Sequence, residues 1–233
     1  MTTVPSQTGL PPAIETTDLS FRWERASKPI SFPDLSLNQG EHLFLHGPSG
    51  TGKSTFLSLL AGMLRPSSGK ICLLGKDISL FTSGARDRFR ADHIGVIFQQ
   101  FNLVPYLSAL ANVTLPCRLS TTRHIAASPG PEQEARRLLE ALAIPADHWQ
   151  RKVSHLSIGQ QQRVAAARAL IGAPEIILAD EPTSALDSDN RDRFLKLLLE
   201  LARAQNTSVL FVSHDLSLTP HFHHRTGLQE ARP

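Results

Sequence analysis

Residues 47–55 read Gly47-Pro48-Ser49-Gly50-Thr51-Gly52-Lys53-Ser54-Thr55 and match the pattern G-x-x-x-x-G-K-[ST]. The apolar run His42-Leu43-Phe44-Leu45-His46 lies just before it and has the length of a buried strand. Phe56, Leu57, Leu60, Met63 and Leu64 follow at the spacing of one helix face. Strand, glycine loop and helix, in that order, are the context a phosphate-binding loop requires. The glycines let backbone N–H groups from Gly47 to Thr55 wrap a phosphate chain without Cβ clashes, and the positive end of the new helix points at the same charge. In such a loop Lys53 reaches the β- and γ-phosphates, and the Ser54 hydroxyl is a Mg²⁺ ligand.

The 233 residues suffice for one large domain or a core with a subdomain. Hydrophobic residues make up 41% and charged residues 19%, which places the chain among ordinary globular proteins. A net charge of +3 is too small to argue for a nucleic-acid partner. Cys72 and Cys117 are the only cysteines, which excludes a disulfide framework and fits a reducing compartment. No apolar run approaches the roughly 20 residues that span a bilayer. The stretch 1–12 is polar, carries prolines and lacks the apolar centre of a signal peptide, so it reads as a disordered tail. The expected place is the cytoplasm, with any membrane role requiring a partner.

Around the glycine loop the chain reads as alternating strands and helices. Ile14 to Trp23 alternates as a strand, and Pro29 to Gly40 reads as a second strand with turns. Lys70 to Leu74 is a short strand, and Gly75-Lys76-Asp77 a turn. Phe81 to His93 is an Arg- and Asp-rich exposed helix, and Ile94 to Phe98 a buried strand ending at Gln99. From Gln100 to His155 the prolines at 105, 116, 129, 131 and 145 divide helical pieces, the clearest being Ala135 to Leu142, with an exposed loop at Thr121 to Pro131. Glu175 to Ala179 and Thr207 to Ser213 are apolar strands on either side of a helix over Asp189 to Ala204. The expected fold is α/β. It has a mainly parallel, covered sheet, an antiparallel β part near the N-terminus and an inserted helical subdomain at about 100–155, within a domain over 13–233.

Ile176 to Ala179 runs into Asp180 and Glu181, an apolar strand ending in two carboxylates. Asp180 suits Mg²⁺, and Glu181 is placed to accept a proton from an attacking water. Further upstream, Leu156-Ser157-Ile158-Gly159-Gln160 opens an Ala-rich helix, with Ser157 and Gln160 at capping-box spacing. A capped helix start with the Ser157 hydroxyl and the Gly159 N–H is an anion site suited to a γ-phosphate.

These motifs in this order resemble the ATP-binding cassette (ABC) ATPases, the nucleotide-binding subunits of ABC transporters, over roughly residues 14–215. Ile158 stands where the family's LSGGQ usually has glycine. The resemblance implies ATP and Mg²⁺ as ligands. It implies that Gln99 contacts Mg²⁺ and the attacking water, that Asp187 closes a loop running across a dimer interface, and that His214 contacts the γ-phosphate. Trp23 matches the aromatic that stacks on adenine, with Phe21 as the alternative. Lys53, Gln99, Glu181 and His214 are thus the expected catalytic set, and Ser54, Gln99 and Asp180 the metal set. A homodimer is implied in the ATP-bound state, each ATP lying between one chain's Gly47–Thr55 and the other's Ser157–Gln160. A membrane permease subunit is the implied partner, at the cytoplasmic face of the inner membrane, with Phe101 and Tyr106 as candidate contacts. The stretch Ile94 to Pro116 resembles the lipoprotein-releasing, macrolide-exporter and cell-division branch, whose partners are FtsX-like, whereas Ser184-Ala185 is commoner in importer ATPases. The other classes in view are soluble ABC ATPases of DNA repair or translation and P-loop kinases. Long coiled-coil insertions, a second cassette, or a missing LSIGQ segment would mark these, and the chain has none of those marks. Leu216 to Pro233, with His221, His223 and His224, reads as a solvated polar tail, a metal site being the alternative.

Overall fold

A computed structural model describes residues 9–24, 28–184 and 186–228. Most of the expected N-terminal tail and Ala185 of the 184–187 loop therefore lie outside the described residues. Strand β1 (Ile14–Phe21) buries alternate residues, as a half-covered strand does. β2 (Ile30–Ser31) and β3 (Leu35–Leu37) both pair antiparallel with it. The single strand expected over Pro29–Gly40 is thus two short ones. Pro33 between them lacks a ladder donor, and its carbonyl instead accepts from the Thr16 hydroxyl. β4 (His42–His46) leads into the glycine loop and α1 (Lys53–Leu60).

β5 (Ser68–Leu73) and β6 (Lys76–Asp77) form a hairpin on β1. Its turn is Leu74-Gly75, both with positive φ (52° and 76°), so Lys76 and Asp77 are strand residues and not part of the turn as expected. α2 (Ser83–His93) and β7 (Ile94–Ile97) follow, then α3 (Ala109–Leu119), α4 (Thr121–Ala126) and α5 (Pro131–Ala141), the inserted helices. α6 (Ile158–Leu170), β8 (Ile176–Asp180), α7 (Ser188–Ala204), β9 (Ser208–Val212) and β10 (His224–Gly227) complete the chain.

Three further expectations are corrected here. Thr121 to Pro131 is not an exposed loop, because α4 occupies its first half. Ser120 caps α4, and Arg123, 3% exposed, drives its guanidinium into the carbonyls of Ala169 and Ile171 at the end of α6. The segment lacks an apolar period because its buried anchor is an arginine. Pro116 does not break α3, which runs on to Leu119, and the Pro116 carbonyl accepts from Ser120 N–H at 3.0 Å. The polar C-terminal stretch is partly a strand: β10 pairs parallel with β4.

The parallel sheet has the order β10-β4-β9-β8-β7. Period-2 alternation sends its side chains to two separate cores. Phe44, Ile97, Ile177, Val209 and Phe211 face the core shared with α3, α5, α6 and α7. Leu43, Leu45, Ile94, Ile176, Leu178, Leu210 and Val212 face the core shared with α1 and the antiparallel strands. With both faces covered, the carboxyl ends of β4, β7, β8 and β9 are left open at one edge, where open α/β sheets bind ligands.

Gly95 shows how tightly α6 lies on the sheet: a Cβ there would sit 2.3 Å from the Ala169 carbonyl oxygen. Gly95→Ala is expected to cost about 1–3 kcal/mol of stability through overpacking. It should appear as a lower urea midpoint at unchanged slope.

Candidate functional site

Four strand ends build the site. β4 ends at His46, so Gly47 begins the loop directly above the sheet, and the Leu228 carbonyl oxygen leaves only 2.7 Å where a Gly47 Cβ would be. Thr51 Oγ1 donates to the Pro48 carbonyl at 3.0 Å. Lys53 is buried and donates to the carbonyls of Gly47 and Pro48, each at 2.8 Å, so the loop is folded around its own ammonium. Gly52 stands at the N-cap of α1 with φ 91° and provides no side-chain cap. The first N–H groups of α1 are therefore free of a side-chain cap and open to an anion.

β8 delivers Asp180 and Glu181. Glu181 takes φ 45°, a left-handed turn that a glutamate adopts only at some cost, while its N–H stays bonded to the Val212 carbonyl. β9 delivers His214, whose Nδ1 lies 2.5 Å from Glu181 Oε2. The carboxylate accepts, so this nitrogen carries the proton. Burial, reinforced by Glu181 beside it, pushes the Asp180 carboxyl above the usual aspartate range, while the Ser54 hydroxyl and Lys53 pull the other way. β7 delivers Gln99.

These side chains line a cleft of about 640 Å³ together with Trp23, Ile30, Ser49, Gly50, Gly52 and Thr55. Gly47, Pro48 and Thr51 stand behind this wall as the loop's scaffold. Of the two candidate aromatics, Trp23 is 49% exposed and lines the cleft. Phe21 is 8% exposed and supports Trp23 edge-on, with ring centroids 4.9 Å apart. Ile30 was missed by sequence reasoning. It belongs to β2 and faces Gly52, a juxtaposition made by β-pairing that no local pattern records. Ser54, Gln99 and Asp180 supply oxygen donors, and Asp180 is a half-buried carboxylate with a second carboxylate beside it. That donor set and excess negative charge fit a hard cation such as Mg²⁺.

Ser157, Gly159, Gln160 and Asp187 are not in this cleft. The capping box at Ser157 is formed in both directions, and Gln160 Nε2 also lies 2.9 Å from His148 Nδ1. Asp187 caps α7 by accepting from the Asn190 N–H at 3.0 Å. All four lie at the surface or partly exposed. Among the described residues, no group of three or more His, Cys, Asp or Glu side chains is arranged to hold a metal, including around His221, His223 and His224.

The family described as ABC transporter matches residues 31–184, from the end of β2 to just past the strand that delivers Asp180 and Glu181. The chain belongs to the ABC transporter family. It is an ABC ATPase, the ATP-binding and ATP-hydrolysing subunit of the transporter type. An uncharacterised ABC transporter ATP-binding protein of Mycobacterium tuberculosis is 38% identical to this ABC ATPase, covering 95% of this chain and 88% of its own. The lipoprotein-releasing system ATP-binding protein LolD of Hydrogenovibrio crunogenus is 41% identical, covering 79% and 78%, and belongs to the branch that Ile94–Pro116 resembles. A solved ATP-binding cassette, dimeric and in a post-hydrolysis state with ADP and Pi, superposes with a TM-score of 0.80 at 32% identity, covering 93% of this chain and 94% of that one.

Because the folded Asp180 carboxyl holds its proton to higher pH than the unfolded one, the fold loses stability as pH rises from the ordinary aspartate range through the raised pKa. Asp180→Asn removes that loss. It is expected to raise the melting temperature of the metal-free protein at neutral pH by on the order of 2 °C, read by calorimetry.

Proposed function

We propose that this ABC ATPase closes as a homodimer around two ATP molecules and thereby drives a separate membrane permease subunit at the cytoplasmic face of the inner membrane. One observation carries the proposal: the cleft gathers Lys53, Ser54, Gln99, Asp180, Glu181 and His214, while the anion-ready start of α6 at Ser157 is exposed elsewhere on the same chain. A second copy supplies what the first lacks. Trp23 then stacks on the adenine, and Gly47 to Thr55 hold the phosphates. The partner copy's capped helix start meets the γ-phosphate. Glu181 accepts a proton as water attacks the γ-phosphorus in line and the bond to the ADP oxygen breaks. His214 orients the Glu181 carboxylate and reaches the γ-phosphate, and Gln99 holds the water. Ser54, Asp180 and Gln99 would hold Mg²⁺, which neutralises phosphate charge when bound.

The permease is proposed to dock in a groove of about 600 Å³ between α2, β7, α3 and α4. Its lining includes Met63, Val96, Phe98 and Leu115 together with Arg88. An apolar segment with acidic flanks fits that chemistry. Tyr106, 72% exposed, stands beyond Gln99 as a contact. Phe101 is 9% exposed and packs in the core shared with α3 and α6, so it is not the surface contact expected from sequence. No helix among the described residues is long and apolar enough to cross a membrane, so the spanning part belongs to the partner in this scheme.

Glu181→Gln is expected to lower ATP turnover by about 10³-fold, within the range for loss of a general base. It should also leave a dimer that persists with ATP, measured by light scattering. Retained turnover removes Glu181 from the role of base. Gly159→Ala meets no atom closer than 3.5 Å within the chain, so it should fold normally and lose only ATP-dependent dimerisation. Tyr106→Ala should weaken co-purification with the permease while leaving basal turnover unchanged.

A further inference from the structure

The hydrogen bond between Glu181 and His214 is backed by contacts that the proposed chemistry does not use. Asp215 follows His214, and its Oδ2 is ion-paired with Arg191 Nη1 on α7. The other Asp215 oxygen is held by Ser217, through its N–H at 3.0 Å and its hydroxyl at 2.7 Å. The Asp215 N–H donates to Ser213 Oγ at 3.1 Å, so the residues on either side of His214 are tied to each other. Arg191 is likewise fixed: its Nε lies 3.1 Å from Asp192, its N–H bonds to the Asp187 carbonyl at 2.9 Å, and its side chain is only 18% exposed.

We infer that Arg191 is a positioning residue for His214, acting through its ion pair with Asp215 to make the Asp187 end of α7 and the histidine loop move as one body. The contacts form a continuous series: Glu181 bonds His214, Asp215 joins His214 to Arg191, and Arg191 lies one turn into the helix capped by Asp187. Before Asp187, the Ser184 N–H donates to the Glu181 carbonyl at 3.3 Å and the Leu186 N–H to the Thr183 carbonyl at 3.2 Å. Leu186 also packs against α6, since a Cβ on Gly159 would lie 3.5 Å from Leu186 Cδ2. A displacement at the exposed start of α6 therefore reaches Leu186, then Asp187, and through Arg191 the loop that aims His214 at Glu181.

An ion pair at a surface usually contributes little, because water screens it and two long side chains must be ordered. This one differs in that both ends are already ordered by other bonds. Neither group is free to follow a different partner, and the pair transmits position more than it adds stability. Among the described residues the Arg191 side chain is hydrogen-bonded to Asp192 and Asp215 and to neither Glu181 nor His214, so its effect on turnover is proposed to pass through Asp215. The inference rests on the roles proposed above for Glu181 and His214.

The test is a double-mutant cycle on the full chain with Arg191→Gln and Asp215→Asn, read as kcat and KM for ATP hydrolysis. Melting temperatures confirm that each variant is folded. Each single change is expected to lower kcat about tenfold, the size of a typical coupling between contacting residues, with KM for ATP shifted less than about twofold. The double variant should be no slower than the slower single one, and Arg191→Lys should recover most of the rate. Effects that multiply in the double variant, or an Arg191→Gln enzyme with unchanged kcat, overturn the inference. His214→Ala separates the two levels. If it abolishes turnover while the Arg191 variants remain active, only the inference fails. If it leaves turnover intact, the assignment of His214 fails and the inference with it.

Discussion

The parallel hydrogen-bond register of β4, β9 and β8 is the constraint on which the site depends. Leu45 stands opposite Val212, and Val212 opposite Asp180. One residue further along lie His46, Ser213 and Glu181, and Gly47 follows His46 at the same edge. Two bonds extend the register past the last strand residues: Ser213 N–H to the Leu45 carbonyl at 3.1 Å, and Glu181 N–H to the Val212 carbonyl at 3.0 Å. A slip of one residue would exchange the two cores and turn Asp180 away from Ser54. The apolar faces forbid that slip, so the hydrophobic alternation of the strands indirectly sets the catalytic geometry.

Above that edge the charges are managed by a small number of strong contacts. Lys53 is nearly inaccessible, and two loop carbonyls satisfy its ammonium, which keeps a buried cation tolerable beside the acidic pair. Asp180 bears the burial cost, and Glu181 is held by His214. The result is a cleft with a cation at its floor, two carboxylates on one wall and an indole at its mouth, a polarity gradient matched to a nucleotide triphosphate.

α6 belongs to two structures at once. Its middle and end pack on the sheet and on α3 and α5 in a single apolar core, and Arg123 from α4 and Gly95 from β7 meet its last turn. Its first turn, capped by Ser157, faces away from the cleft. The helix is thus anchored at one end and exposed at the other.

Much of this was legible in the sequence. The glycine loop, the strand before it, the paired carboxylates and the capping box could be read because each is a local pattern with a local physical cause: φ freedom, period-2 alternation, or a cap spaced at three residues; Gln99 and His214 came only through the family resemblance. Long-range packing hid the rest. α4 escaped notice because a buried arginine, not an apolar stripe, anchors it. Ile30 reached the cleft through β-pairing, and β10 took a polar tail into the sheet through backbone bonds that no side chain announces. Composition and local spacing by themselves determined a phosphate-binding α/β protein, its glycine loop and its paired carboxylates. The tertiary structure alone decided that Trp23 and not Phe21 faces the cleft, that Phe101 is core and not surface, and that Ser157 and Asp187 stand outside the cleft of their own chain. Each of these depends on which distant residues share a face of the fold, and sequence spacing does not encode that once the separation exceeds a helix turn or a strand pair.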